Sequence, residues 1–442
     1  MPSAREAVLL ALIKQQKQDG YSNLILKETL RNYEFSPSDR AFFKQLFYGV
    51  LEKRLLLDYY IKQHSSVKLA KLSPQVHNIL RMGVYQLVFL DRVPPSAACN
   101  EAVKLAKRYA SPASGFVNGV LRGLVRAGTK IALPAPEAEP VNHLSIRYSV
   151  SPAIAQTLLA QYGFDDARRL LAAMEQPQPQ YLVPNPLRAP ENEFAALASE
   201  QGIKLLERGE CGFGFHYAGD VESHELYRKG YFHLQGKASQ LCCLALAPEP
   251  GHTVLDLCAA PGGKAFTAAG LMQNRGAVYA FDVHPHRVDL IRAGVARLGL
   301  DIVRPALADA TGRLPLAERS ADRVLCDVPC SALGLLGRRP ELRYRSMTDT
   351  ASLAALQYAL LENGARYLKP GGLLVYSTCT LNREENEAQT ERFLLEHPDF
   401  GYGELPEVLR ARAGAAKNGG FVTLFPHTDS TDGFFIAVLR RQ

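Results

Sequence analysis

Apolar residues recur at three- and four-residue spacing through the first third of the chain. Ile79, Met82, Gly83, Tyr85, Leu87 and Val88 form one stripe; Val117, Val120, Leu121 and Leu124 form another. That period predicts helices, and residues 3–127 read as all-helical. Ser36-Pro37-Ser38-Asp39 supplies a capping serine, a proline at the first helical position and an acid in the first turn. Ser73-Pro74 and Ser111-Pro112 repeat the device. Arg81, Arg92, Lys104, Lys107, Arg108, Arg122 and Arg126 fall largely off the stripes and are expected to face water or a polyanion.

The pattern then changes. Leu133-Pro-Ala-Pro-Glu-Ala-Glu-Pro140 has no periodicity and reads as a stiff linker. Residues 143–235 mix helical stretches (Ala153–Tyr162, Ala167–Met174, Asn192–Gln201) with short extended ones, a small α+β connector of unassigned topology. From Lys237 onward strands and helices alternate. Expected strands are Thr253–Leu257, Ala277–Asp282, Ile302–Leu307, Arg323–Asp327, Gly372–Ser377, Phe421–Phe425 and Phe434–Leu439. Helical stretches separate the first five, which predicts a doubly wound α/β sheet. Pro426–Gly433 is too short for a parallel crossover, so the last strand should run antiparallel. A seven-stranded sheet with a reversed last strand resembles the class I (Rossmann-like) methyltransferase arrangement. The expected boundaries are 1–128 helical, 129–142 linker, 143–236 connector and 237–442 α/β domain.

Charge adds a partner. The chain nets +7, yet residues 1–128 carry 19 Lys+Arg against 9 Asp+Glu, a balance of +10. A basic helical domain points to nucleic acid. Eight cysteines in 442 residues make no disulfide scaffold. No Cys-x-x-Cys pair occurs and histidines at zinc spacing are missing, so no metal is expected. This usage fits a reducing cytoplasm. The apolar run Ala7–Ile13 ends in Lys14-Gln-Gln-Lys17 and reads as a helix stripe, not a signal peptide. No uncharged apolar stretch approaches the roughly 18 residues of a membrane span.

Chemistry concentrates at the expected strand ends. Val254-Leu-Asp-Leu leads into Cys258, Ala259, Ala260, Pro261, Gly262, Gly263 and Lys264: a strand, a tight small-residue loop, then a helix. Such a loop lets backbone approach a ligand closely. Asp282 ends the second strand, where an acid can accept both ribose hydroxyls. Asp309 follows the third and could reach an adenine amino group. Ribose and adenine contacts without a pyrophosphate cradle suit S-adenosylmethionine. Asp327-Val-Pro-Cys330 follows the fourth strand and Tyr376-Ser-Thr-Cys379 the fifth. Ligands of open α/β sheets sit at carboxyl ends of strands, so both thiols should face the pocket. Two thiols at one cofactor site suggest covalent chemistry on an electron-poor ring, one attacking and the other assisting release. Cys99, Cys211, Cys242, Cys243 and Cys326 read as inert core residues.

These residues carry a resemblance. Cys258-Ala-Ala-Pro-Gly-Gly-Lys264, Asp327-Val-Pro-Cys-Ser331, Tyr376-Ser-Thr-Cys-Thr380 with Glu384-Glu-Asn-Glu387, and Thr431-Asp-Gly-Phe-Phe-Ile-Ala437 resemble the Nol1/Nop2/Sun family of RNA cytosine-5 methyltransferases. Ile79–Gln86, Asn100–Lys107 and Phe116–Arg122 resemble the RNA-binding NusB domain. Together they resemble bacterial enzymes that methylate 16S ribosomal RNA. The resemblance implies that Cys379 adds to carbon 6 of the target cytosine. Asp327 would stabilise the activated ring at nitrogen 3, and Cys330 would assist loss of the carbon 5 proton and expulsion of Cys379. S-adenosylmethionine would be held by Cys258 to Lys264, Asp282, Asp309 and Asp327, with Arg287 near the cofactor or the RNA. It also implies a cytoplasmic monomer. Three departures stand out: Ala332 in place of a glycine, no acid after the glutamine in Leu234–Ser239, and Ser145-Ile-Arg-Tyr148 in a chain without tryptophan. Three alternatives stay open: the same chemistry on another ribosomal RNA or on tRNA, a non-catalytic RNA-binding assembly factor, and a small-molecule methyltransferase, against which the basic helical domain argues.

Overall fold

The computed structural model describes residues 2–18, 22–412, 414–416 and 419–442. They form two compact units. One comprises the chain up to Glu175 together with Arg338–Ser346; the other comprises Gln176–Gly337 and Met347–Gln442.

The first unit is helical, with NusB-like helices ending at Ala127, a helix at Pro140–Tyr148, and a helical stretch Pro152–Ala173 that breaks in two at Gly163, where φ is +75°. Two expected caps form. Ser36 Oγ accepts from the Asp39 N–H at 3.1 Å and Ser73 Oγ from the Val76 N–H at 3.3 Å. Ser111-Pro112 does not cap an α-helix. The Ala113 N–H bonds back to the Ala110 carbonyl at 2.9 Å, closing a tighter 3₁₀ turn, and the α-helix starts at Ser114.

Leu9, Phe43, Phe47, Leu57, Ile79 and Leu121 belong to the core of this unit. Helix Pro74–Phe89 is buried on most of its circumference. That overturns the expectation for Arg81, which is interior rather than facing water. Its Nε and Nη2 donate to Asp58 at 2.7 and 2.6 Å, and His77 binds the same carboxylate at 2.6 Å. A buried guanidinium is tolerated in such a fork-to-carboxylate pair. Arg92, Lys104, Lys107, Arg108, Arg122 and Arg126 are exposed.

Segment 338–346 belongs to this helical unit although it follows Cys330 by only a few residues. Tyr344 lies under the Arg54 guanidinium, 3.6 Å from ring centroid to Cζ, and donates to the Leu51 carbonyl at 2.5 Å. Arg343 Nη1 donates to the Tyr148 carbonyl at 2.8 Å.

The second unit holds two sheets. The smaller is antiparallel: β1 Gln180–Pro184, β2 Lys204–Arg208, β3 Phe213–His216 and β4 Phe232–Leu234, in the order β2-β3-β1-β4. The larger contains β5 Thr253–Asp256, β6 Ala277–Asp282, β7 Val303–Leu307, β8 Ala321–Asp327, β9 Leu368–Thr378, β10 Phe400–Tyr402, β11 Phe421–Leu424 and β12 Phe434–Arg441. Its order is β10-β12-β9-β8-β5-β6-β7, with β11 also on β12.

Strands β5 to β9 are parallel, and β12 is antiparallel both to β9 and to β11, the latter as the short connection requires. The sheet has eight strands rather than seven. The addition, β10, pairs with residues 439–441 of β12, beyond the stretch that β11 occupies. Three residues bounded by helix and loop carry too little alternation to be read as a strand. Alternate residues supply the two faces: Val254, Leu325, Val375 and Ile436 join one apolar cluster, and Leu255, Val324, Leu374 and Ala437 the other.

Candidate active site

Because β5 to β9 are parallel, their carboxyl ends share one edge of the sheet. Asp256 ends β5, Asp282 ends β6 and Asp327 ends β8; Asp309 lies two residues past β7 and Cys379 one past β9. The ladder fixes their order, with Asp256 opposite Leu325, Asp282 opposite Leu307 and Asp327 opposite Ser377.

Cys258 to Lys264 connects β5 to helix Gly263–Leu271. The Ala259 N–H donates to the Phe281 carbonyl at 2.7 Å, tying the loop to β6, and the Gly262 N–H closes a turn on Ala259 at 2.7 Å. Gly262 has φ +112°, and a Cβ there would lie 2.2 Å from the Phe266 ring. Only glycine meets both demands.

Lys264 Nζ donates to Asp327 Oδ2 at 2.6 Å and to Ser239 at 3.2 Å; Ser377 donates to Asp327 Oδ1 at 2.8 Å. Burial works to lower the lysine's pKa, but Asp327 outweighs it and the net direction is upward. Asp256 is buried and neither carboxylate oxygen has a hydrogen-bond partner among the described residues. Burial, then the Asp327 charge, pushes it up to about 7. Asp282 is also buried, accepting from the His284 N–H at 3.0 Å, with Arg287 at 3.5 Å. Asp309 is exposed, and hydrogen bonds from Thr311 lower its pKa. Four carboxylates (Asp256, Asp282, Asp309 and Asp327) against Lys264 and Arg287 form an acceptor set suited to a cationic ligand bearing hydroxyl groups.

The two thiols meet. Cys330 Sγ and Cys379 Sγ are 3.3 Å apart with no disulfide between them. The hydrogen bond with Cys379, and then burial, raise the Cys330 thiol well above its usual range. Either sulfur can donate in this contact, and the raised Cys330 thiol favours Cys330 as the protonated partner. Among the other cysteines, Cys99, Cys242, Cys243 and Cys326 are buried, as expected of core residues, while Cys211 is only partly buried.

Sequence reading missed the supports. Asp256 was visible as a strand-end acid, but nothing in the sequence marks it as unpaired. Glu385 and Asn386 lie inside a quoted motif that carried no role, and Gln357 lies inside a helix. All three are fully buried against the thiol loops. Ala332 takes φ +58°, the left-handed region, where a glycine would sit without strain. No group of three or more metal-ligating side chains occurs among the described residues, and no helix among them is long and apolar enough to cross a membrane.

A reversed-strand parallel sheet with paired thiols and acids at its carboxyl edge, in a chain that also carries a NusB-type helical unit, defines an RNA-methyltransferase class of architecture. Residues 243–440 match the family described as 16S rRNA methyltransferase RsmB/F, and residues 2–126 match the NusB family. The chain is 36% identical over 452 residues to the probable ribosomal RNA small subunit methyltransferase B of Bacillus subtilis (strain 168), covering 100% of this chain and 99% of that one. It is 32% identical to ribosomal RNA small subunit methyltransferase B of Sodalis glossinidius, covering 92% and 91%. The crystal structure of PH0851 superposes with a TM-score of 0.82 at 27% identity, covering 100% and 99% of the two chains. A methyltransferase homolog from Pyrococcus horikoshii gives 0.59 at 30%, covering 69% and 99%. The chain belongs to the ribosomal RNA small subunit methyltransferase B family.

Proposed function

We propose that this protein methylates carbon 5 of a cytosine in 16S ribosomal RNA, using S-adenosylmethionine and a covalent Cys379–cytosine intermediate. The observation that carries the reading is the 3.3 Å contact between Cys330 and Cys379 at the carboxyl edge of the sheet. One thiol suffices for attack on a pyrimidine; a second in contact with it can assist when the adduct must also be dismantled.

S-adenosylmethionine, when bound, supplies an electrophilic methyl group on a cationic sulfur, and Cys258–Lys264, Asp256, Asp282, Asp309 and Asp327 would hold it. The Cys330 S–H donates toward Cys379 and so favours the thiolate there. Cys379 attacks carbon 6 of a base taken out of its stack, which makes carbon 5 electron-rich. Asp327, held by Lys264 and Ser377, faces the ring edge at nitrogen 3. Once carbon 5 bears the methyl group, its proton passes to solvent water, the electron pair left behind reforms the carbon 5–carbon 6 double bond and breaks the carbon–sulfur bond, and the Cys330 S–H stabilises the departing Cys379 thiolate. The exposed cations of the helical unit supply the phosphate contacts that guide RNA.

The test is methyl transfer from labelled S-adenosylmethionine to unmodified 16S ribosomal RNA, with bisulfite mapping. One protected cytosine is the expected result. Transfer to another atom or base would overturn the chemistry, and transfer to tRNA alone would overturn the substrate.

A further inference from the structure

The consecutive buried residues Glu385 and Asn386 each brace a different thiol loop. Glu385 Oε2 accepts from the Ser331 N–H at 2.9 Å and Oε1 from the Ser331 hydroxyl at 2.5 Å. Gln357 Nε2 donates to Glu385 Oε2 at 2.9 Å and also to the Pro329 carbonyl at 2.9 Å. The peptide groups on both sides of Cys330 are thus held by the Glu385–Gln357 pair. Asn382 Nδ2 adds a fourth donor to the carboxylate at 3.1 Å. Asn386 does the same for the other thiol. Its Oδ1 accepts from Thr378 Oγ1 at 2.5 Å and its Nδ2 donates to the Thr380 carbonyl at 3.1 Å, so it spans Cys379.

Both side chains are fully buried, and neither is hydrogen-bonded to Cys330 or Cys379. A buried carboxylate is costly unless its lone pairs are filled, and here four donors fill them. The Thr380 hydroxyl meets the Ser331 hydroxyl at 2.7 Å, so the two braced loops also touch one another.

Building on the covalent mechanism above, we propose that Glu385 is the positioning residue for Cys330 and Asn386 the positioning residue for Cys379, so that release and attack are separately supported. Glu385→Gln replaces an acceptor with an amide that opposes the donors from Ser331 and Gln357. The Cys330 loop loosens while the Asn386 contacts to Thr378 and Thr380 remain. Asn386→Ala removes both contacts that span Cys379 and leaves the Glu385 brace in place. Displacing a reacting group by about 1 Å costs on the order of a hundredfold in rate.

The experiment compares wild type, Cys330→Ala, Glu385→Gln and Asn386→Ala on 16S ribosomal RNA, scoring covalent protein–RNA adduct on denaturing gels beside methyl transfer. RNA carrying 5-fluorocytosine measures attack and methyl transfer without release, because the fluorine blocks loss of the carbon 5 substituent. Glu385→Gln should accumulate adduct on ordinary RNA, as Cys330→Ala does, and trap fluorinated RNA within about threefold of the wild-type rate. Asn386→Ala should show no accumulation and trap fluorinated RNA about a hundredfold more slowly. Equal losses in attack for both variants would overturn the division of roles, as would wild-type partitioning in either. If Cys330→Ala itself forms no adduct while wild type methylates, the covalent reading fails first. Thermal melts with bound S-adenosylmethionine identify a variant that has merely unfolded; Glu385→Asp, which keeps the charge, must then restore turnover relative to Glu385→Gln.

Discussion

Lys264 Nζ lies 2.6 Å from Asp327 Oδ2, joining the glycine loop after β5 to the end of β8. The pair does more than cancel charge. Burial raises the pKa of Asp256, Asp327 raises it further and Lys264 lowers it, which leaves Asp256 at about 7. A cationic ligand gains from Asp256 only when that acid is ionised. Affinity for S-adenosylmethionine should therefore rise as pH increases from 6 to 8. Titration calorimetry across that window tests it. Asp256→Asn should flatten the rise, and Lys264→Met should move it to higher pH, because the acid loses its opposing cation.

The same acid makes a prediction about stability. Its folded pKa of about 7 is above that of an unfolded aspartate. Between those values the folded state holds the extra proton, so raising pH removes stability until Asp256 is ionised in both states. The full difference is worth roughly 4 kcal/mol. Asp256→Asn should be more stable than wild type at pH 8 and equal to it at pH 4, as read by urea unfolding. A variant less stable than wild type at pH 8 would show that the carboxylate has a partner in solution.

Ala332 tests a smaller balance. Its left-handed backbone costs about 1–2 kcal/mol in a residue with a Cβ. Glycine removes that cost but adds about 0.5–1 kcal/mol of unfolded-chain entropy. Ala332→Gly should gain up to about 1.5 kcal/mol and keep its methyl transfer. A loss of stability would mean that the Ala332 side chain, which is buried, contributes more packing than its backbone costs.

Much of the catalytic edge was legible because strand ends are marked by pattern and thiols are rare. Parallel strands separated by helices put Asp256, Asp282, Asp327 and Cys379 on one edge whatever their packing. What was hidden depends on tertiary contact. Arg81 looked solvent-facing because helix period reports one buried stripe, whereas helix Pro74–Phe89 is enclosed on most sides. Gln357 sits within helix Thr350–Tyr367, and only the fold brings it to Pro329 and Glu385. Segment 338–346 sits amid α/β sequence, yet Tyr344 and Arg343 find their partners in the helical unit.

Arg81 and Asp58 make that enclosed helix sensitive to one substitution. Burial disfavours the Asp58 carboxylate, but hydrogen bonds from Arg81 and His77 outweigh it and lower its pKa. Asp58→Ala strands the guanidinium inside the core, at a cost of about 3–5 kcal/mol. Replacing both, as in Asp58→Leu with Arg81→Met, should recover most of that loss. Urea unfolding of the two variants checks the order. Equal destabilisation would mean that the site rejects apolar volume rather than an unpaired charge.

The two thiols give the sharpest contrast. Cys379→Ala removes the attacking sulfur, so it should neither methylate nor form an adduct. Cys330→Ala leaves attack possible but deprives the departing sulfur of the donor 3.3 Å away. It should form a methylated covalent complex that persists on a denaturing gel. Cys330 keeps its proton well above the usual thiol range, so wild-type release should not decline between pH 7 and 9. Were the roles reversed, Cys379→Ala would be the variant that traps RNA, and the raised Cys330 thiol would then be an attacking group held in its unreactive form.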